Sequence, residues 1–362
     1  MRRRGTRVKI TRVRKTAIAI AAGALLLSGC SSSDSESAGG AYAGPVQDTP
    51  GTINVLAWPG YAEDGSTDPN VDWVTPFEKA TGCTVNVKTY GTSDEAVQLM
   101  QSGGYDVVSA SGDASLRLIF GGDLQPVNLD LIPNYADVFA NLKDRPWNTI
   151  DGANYGVPHG RGANVLQYTL DKVKPAPDSW SVVWEPNSPL KGKVTAYDSA
   201  IYIADAAVYL MSTKPDLGIT DPYALDQTQF DAAMELLKQQ KPLVAEYWAD
   251  YTKYVAAVQA GSIVAGTSWQ VIANVLNGEK STVGAVKPKE GATGWSDTWM
   301  ISKNTEAIDC AYKWLNWIIS PATNAQAAEY FGEAPANSKA CALTASKTHC
   351  ESYHAEETDY WS

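Results

Sequence analysis

Between Thr52 and Gly122 three short apolar runs alternate with three helical patterns, and this alternation limits the fold more than any other feature of the chain. Residues 52–57 (Thr-Ile-Asn-Val-Leu-Ala) read as a strand, residues 84–89 alternate as a second, and residues 105–108 run as a third into a loop of small polar residues. Between them, residues 71–81 place Trp73, Val74 and Phe77 on one helical face and stop at Gly82. Residues 93–101 open with Asp94 and Glu95 and stop at Gly103-Gly104, and residues 116–120 close at Gly121-Gly122. The order β-α-β-α-β-α argues for a parallel α/β sheet. In open α/β sheets, ligands sit beyond the carboxyl ends of the strands. Trp58 and Tyr61 lie just past the first strand, and Ser111 and Asp113 just past the third.

The pattern continues through the rest of the 362 residues, a length that suits two domains. Residues 155–162 (Tyr-Gly-Val-Pro-His-Gly-Arg-Gly) are rich in Gly and Pro and read as a crossover between domains. Strands are expected over 165–168, 193–196, 263–266 and 283–286. Asp198 follows the second of these and Trp269 the third, again at strand ends. Helices are expected to start near 179 and to run over 201–211, 226–240, 251–260, 270–276, 305–319 and 324–331. In the helix 226–240, Phe230, Met234 and Leu237 share a face. Residues 288–297 begin as a turn and end in Trp295-Ser296-Asp297. If extended, Trp295, Asp297 and Trp299 point the same way. An indole face and a carboxylate both attract a cation, so this face suits an organic ammonium. The alternative is a strand with buried Trp beside a solvated Asp, and Trp299 is assigned to the core.

The N-terminus reads as an address. Residues 1–29 hold eight basic residues and no acidic one. An apolar stretch, 17–27, is too short to span a bilayer, and Leu27-Ser28-Gly29-Cys30 resembles the lipobox of bacterial lipoproteins. Residues 1–29 are then a lipoprotein signal peptide, Cys30 the lipidated residue and 30–50 a Ser/Gly-rich flexible tether, with the folded part starting near Gly51 outside the cytoplasm. Removing those eight basic residues from the 29 Lys and Arg leaves 21 against 40 Asp and Glu, a formal charge of −19. Such acidity disfavours nucleic acid and anionic membrane surfaces and suits a cationic solute, although it also serves solubility alone.

Four cysteines follow Cys30, an even number in a location that favours disulfides. Cys341 and Cys350 enclose a short loop, which leaves Cys83 with Cys310. Zinc near His349 and Cys350 is the alternative, without a C-x-x-C pair to support it. The acids Glu63, Asp64, Asp68 and Asp72 lack the Gly and Glu of a calcium loop. There is no G-x-S-x-G elbow, P-loop or H-E-x-x-H, and only three His. No catalytic group, metal or cofactor is expected.

Several segments in order resemble the spermidine/putrescine-binding proteins of bacterial ABC importers, a branch of the periplasmic-binding-protein-like superfamily. They are Trp58-x-x-Tyr61, Phe77-Glu78-x-x-Thr81-Gly82, Tyr105-Asp106-Val107-Val108, Tyr155-x-Val157-Pro158, Pro288-Lys289-Glu290-Gly291 followed by Trp295-x-Asp297, and Glu329-x-x-Gly332 before Pro335-x-Asn337. The resemblance runs from about Asn54 to the C-terminus. It implies an α/β, two-lobed periplasmic binding protein fold of type II, with a hinge and a ligand cleft between the lobes. Lobe 1 would comprise 51–162 and 296–341, and lobe 2 would comprise 163–295 and 342–362.

The resemblance also implies site roles. Trp58 and Tyr61 would line the cleft, Ser111 would hydrogen-bond an ammonium, Asp198 would add a carboxylate from the second lobe, Trp269 and Trp295 would wall the ligand, and Asp297 would bind an amine. The chain departs from the pattern in four places: Asp113 and Glu333 stand where Tyr is usual, Ile201 replaces an acid, and Arg161 occupies an often aromatic position. In the cleft, Arg161 would pair Asp113 or Glu333, or meet a ligand carboxylate. A final helix beyond Trp361 would also be expected. The implied protein is a monomeric, lipid-anchored extracytoplasmic receptor that passes a small cationic amine to a membrane-embedded ABC permease. The alternatives are a receptor for a zwitterionic amine or amino acid, and an extracellular lipoprotein hydrolase.

Overall fold

Three strands of the alternating segment lie side by side in the computed structural model, which describes residues 40–278 and 280–361. Strand β1 (Thr52–Ala57) has β2 (Thr84–Thr89) on one side and β3 (Val107–Ser111) on the other, all parallel. Helices α1 (Val74–Thr81) and α2 (Ser93–Ser102) make the crossovers, and α3 (Gly112–Gly121) leaves the third strand. Strand alternation decides which side chains face which layer. Ile53, Val55 and Ala57 join one core cluster with Phe77, while Leu56 joins the other with Val97 and Val108. The loop expected around Asp113 is instead helical, since α3 begins at Gly112 and Asp113 lies in its first turn.

A short hairpin, β4 (Thr149–Ile150) with β5 (Ala153–Asn154), precedes the longest strand, β6 (Gly156–Thr169). Next come α4 (Ser181–Trp184), β7 (Val194–Tyr197), α5 (Tyr202–Thr213), α6 (Gln227–Gln240) and β8 (Val244–Trp248). After these follow α7 (Tyr251–Ala260), β9 (Ala265–Trp269), α8 (Gln270–Asn277), β10 (Val283–Val286) and β11 (Gly294–Ile301). Last are α9 (Ile308–Ile318), α10 (Pro321–Phe331), β12 (Ala334–Pro335) and α11 (His349–Ser352). The strand order is β2-β1-β3-β11-β6-β9-β7-β8, with β10 and β12 also paired to β6. The first half of β6, from Gly156 to Ala163, pairs with β11, and Asn164 to Tyr168 pair with β9. One strand therefore serves two sheets, each with its own core: one is built on Trp299, Trp314 and Phe77, the other on Trp184, Tyr202 and Leu210.

The Gly/Pro-rich residues read as a crossover are thus a strand, and the chain passes between sheets inside it. Two of the glycines have a steric cause. A Cβ on Gly160 would lie 2.2 Å from Glu333 Cδ, and one on Gly162 would lie 2.2 Å from Trp295 Cζ2. The register between β6 and β11 shifts between Asp297 and Thr298, leaving His159 as the extra residue of a bulge. In α6 the buried side chains are Ala233, Leu236 and Gln240, whereas Phe230 is 39% exposed. The face expected from Phe230, Met234 and Leu237 is therefore rotated. The helix start is as expected, with Asp226 and Gln229 forming a capping box.

Disulfides join Cys83 to Cys310, tying the entry of β2 to α9, and Cys341 to Cys350. With both sulfurs bonded and His349 Nε2 turned 2.8 Å from the Glu333 carbonyl, no zinc site remains there. Residues 40–50 have no regular structure, and part of them lies along α9: Tyr42 packs against Tyr312 at 5.6 Å, and the Gln47 amide donates to Asp309. The signal peptide and Cys30 fall outside the described residues.

Candidate ligand-binding site

After β1 the chain turns through Pro59 and Gly60, whose φ of 93° suits glycine alone. The turn drops Tyr61 onto the end of the sheet, fully buried, with its ring 4.2 Å from His159 and 4.6 Å from Phe331. Its hydroxyl lies 2.6 Å from Asp297 Oδ2 and 2.9 Å from Glu333 Oε2. Asp297 is placed by β11, opposite Ser111 on β3 and Gly160 on β6. Glu333 comes from the turn between α10 and β12.

Both carboxyls are almost completely buried, at 2% and 0% exposure. Asp297 Oδ1 and Glu333 Oε1 meet no hydrogen-bond donor, although the Ser111 hydroxyl is near enough to favour the Asp297 carboxylate. Among the described residues no Lys or Arg pairs with either acid. Burial disfavours the charged form. It pushes Asp297 up to about 6, and burial plus the Asp297 charge pushes Glu333 well above the usual carboxylate range. Burial also drives His159 down to about 3, so its Nε2, 3.4 Å from Glu333 Oε1, belongs to a neutral ring and the contact is not an ion pair. Asp113, on α3, accepts from the Ser93 hydroxyl and is raised by burial.

An aromatic series leads away from these acids into the second sheet. Phe331 lies 5.9 Å from Trp295, Trp295 lies 6.5 Å from Trp269, and Trp269 lies 5.7 Å from Tyr197. Tyr197 ends β7 next to the exposed Asp198. Burial raises the Tyr197 pKa, and the charges of Asp113, Asp297 and Asp198 raise it further, which relates the end of β7 to the acids of the first sheet. Trp58 packs on Tyr90 at 4.5 Å, and its indole N–H and that of Trp295 are buried without partners. Trp299 lies in the core, as assigned.

Tyr61, Ser111, Asp113, Trp269, Trp295, Asp297 and Glu333 are thus drawn into one neighbourhood. Trp58 joins it through Tyr90, which feels the Asp297 charge, and Asp198 sits at its rim. Arg161 does not join. Its side chain leaves the opposite face of β6, donates to the Ala355 carbonyl at 2.9 Å and lies 4.3 Å from the Trp361 ring. The expected pairing with Asp113 or Glu333 is not formed, because the alternation that turns Gly160 to Glu333 and Gly162 to Trp295 turns Arg161 to the C-terminal tail. His159, Tyr90, Tyr197 and Phe331 were not picked out from sequence. Only Tyr197 had a local signal, as the neighbour of Asp198 at a strand end. Among the described residues no group of His, Cys, Asp and Glu is arranged to hold a metal ion. Cavities of about 480 Å³, between Gly51 and Asp309, and about 410 Å³, beside Asn274 and Tyr353, contain none of the residues of this cluster.

Two sheets thus share one strand, and buried acids and aromatic rings gather at their strand ends. Residues 72–350 match the family model of bacterial extracellular solute-binding proteins, and the chain belongs to that family, one of binding proteins and not of enzymes. Among curated relatives, the putrescine-binding periplasmic protein SpuD of Pseudomonas aeruginosa is 28% identical over 69% of this chain and 70% of its own length. The spermidine/putrescine-binding periplasmic protein of Escherichia coli is 25% identical over 75% and 78%. Among solved structures, the spermidine/putrescine ABC transporter substrate-binding protein PotD from Streptococcus pneumoniae superposes with a TM-score of 0.69 at 18% identity, covering 86% of this chain and 91% of that one. The fold is that of the two-lobed, type II periplasmic binding proteins.

Proposed function

We propose that the protein captures a polyamine of the putrescine or spermidine kind outside the cytoplasm and hands it to an ABC permease, held to the membrane by a lipid on Cys30. The observation that carries this reading is the pair of buried carboxyls, Asp297 and Glu333, each with an unpartnered oxygen and no basic side chain against it. A buried acid without a cation is costly, and an ammonium from the ligand removes that cost. Trp58, Tyr61, Trp269 and Trp295 cover the methylenes and attract the cation, at about 0.5–2 kcal/mol per contact. Ser111, Asp113 and Asp198 add polar partners. Lobe 1 is assigned 51–162 with 296–341 and lobe 2 is assigned 163–295 with 342–362, so that closure of one on the other excludes water and strengthens every ion pair. A zwitterionic ligand would need a cation for its carboxylate, and Arg161 is committed to Ala355 and Trp361.

A thermal-shift series with putrescine, spermidine, neutral amino acids and sugars tests the reading. The unfolding temperature should rise with amine concentration. A rise with amino acids or sugars and none with any amine would overturn it.

A further inference from the structure

The contact of one phenol with two acids poses a proton-counting problem. Tyr61 has a single hydroxyl hydrogen, yet its oxygen is within hydrogen-bond distance of Asp297 Oδ2 and Glu333 Oε2. Both contacts are satisfied only if one carboxyl donates. The shorter contact is to Asp297, which also has the nearby Ser111 hydroxyl to favour its charge, whereas no donor reaches Glu333 Oε1. We infer that Glu333 is the neutral acid in the ligand-free protein, donating to Tyr61 while Tyr61 donates to Asp297, and that an arriving ammonium displaces this proton. The proposal rests on the amine reading above.

The surroundings of Glu333 favour this arrangement from every side. Tyr61 approaches from the turn after β1, Asp297 from β11 and His159 from the bulge of β6. The Glu333 charge is felt by Tyr353 in the tail, and His349 engages only the Glu333 carbonyl. Asp113 acts on Asp297 from α3 and adds negative charge. Both His159 ring nitrogens lack partners, and the ring is sealed between Tyr61 and Trp299, where a charged imidazolium would be poorly solvated. Two carboxylates this close do not both ionise without a cation. An ammonium entering beside Asp297 is such a cation. The O–H bond of Glu333 then breaks, its proton leaves to solvent, and the ammonium N–H groups bond to the carboxylate formed. Capture of one amine thus releases one proton.

Between pH 6.5 and 8, above the Asp297 range, putrescine affinity should rise about tenfold per pH unit, the linkage expected for one released proton. Calorimetry in two buffers of different ionisation enthalpy should count that proton directly. In E333Q, which keeps the shape, the count and the pH slope should both vanish. Infrared spectroscopy of the ligand-free protein at pH 8, above the range of Asp297 and Asp205, should show the C=O stretch of a protonated carboxyl that is lost in E333Q and on saturation with putrescine. The spectrum of the native protein serves even where the variant folds poorly. Absence of that band, or its persistence in E333Q, overturns the assignment of the proton. Putrescine heat without proton release overturns the coupling and leaves the amine reading standing. No heat with any amine overturns the coupling and the amine reading together.

Discussion

Asp297 owes its place to neighbours on both sides of β11: Ser111 beside it on β3, and Gly160 beside it on β6 where any larger residue would strike Glu333. Asp297→Asn keeps the shape and removes the charge. Leaving a buried ammonium without its partner costs about 2 kcal/mol or more, so putrescine affinity should fall at least about thirtyfold by calorimetry; unchanged affinity would remove Asp297 from the site. Asp205 shows the opposite use of a buried acid. It lies on α5, 6% exposed, accepts from Thr293 Oγ1 at 3.1 Å, and burial pushes it up to about 7. Its unfolded value is near 3.8. Between those pH values the folded chain binds the extra proton, so stability from this group is greatest below about 4 and declines as pH rises to about 7. The full decline is on the order of 4 kcal/mol. Asp205→Asn should therefore raise the denaturation midpoint at pH 8 and change it little at pH 4, and an equal change at both would show that the acid is not held protonated.

At the scale of elements, the strands and helices with local punctuation were legible from the amino acids. Residues 84–89, 251–260 and 283–286 fall where expected, and α1 stops at Gly82, whose φ of 71° suits glycine. The start of β6 was not legible, because its glycines answer to side chains that arrive from far along the chain. The site divides in the same way. Trp295 and Asp297 share a strand face and can be paired by alternation, whereas His159 and Phe331 acquire their places only through ring contacts between separate elements. Arg161 needed the phase of β6, which a Gly/Pro-rich segment hides. Gly162→Ala tests this account. The added methyl must displace the Trp295 ring, an overpacking that costs about 1–3 kcal/mol. Denaturant unfolding should show that loss, and amine affinity should fall with it; a variant with native stability and affinity would mean that the ring moves aside freely.

At the scale of the whole molecule, charge acts before contact. With 21 Lys and Arg against 40 Asp and Glu beyond residue 29, the chain should draw cations through its long-range field. Stopped-flow association of putrescine should slow about tenfold from low to high salt, and a rate indifferent to salt would confine the electrostatics to the site itself. The strand order has a different consequence, for how the chain is made. In the first sheet, β3 and β6 are joined only through β11, which is synthesised after the second sheet is nearly complete. Until residues 294–301 emerge, Val107–Ser111 and the first half of β6 are unpaired edges, open to any passing strand. The newborn chain is open to such mispairing during that interval, which closes with the strand that brings Trp295 and Asp297; only the two-residue β12 is added to β6 after it.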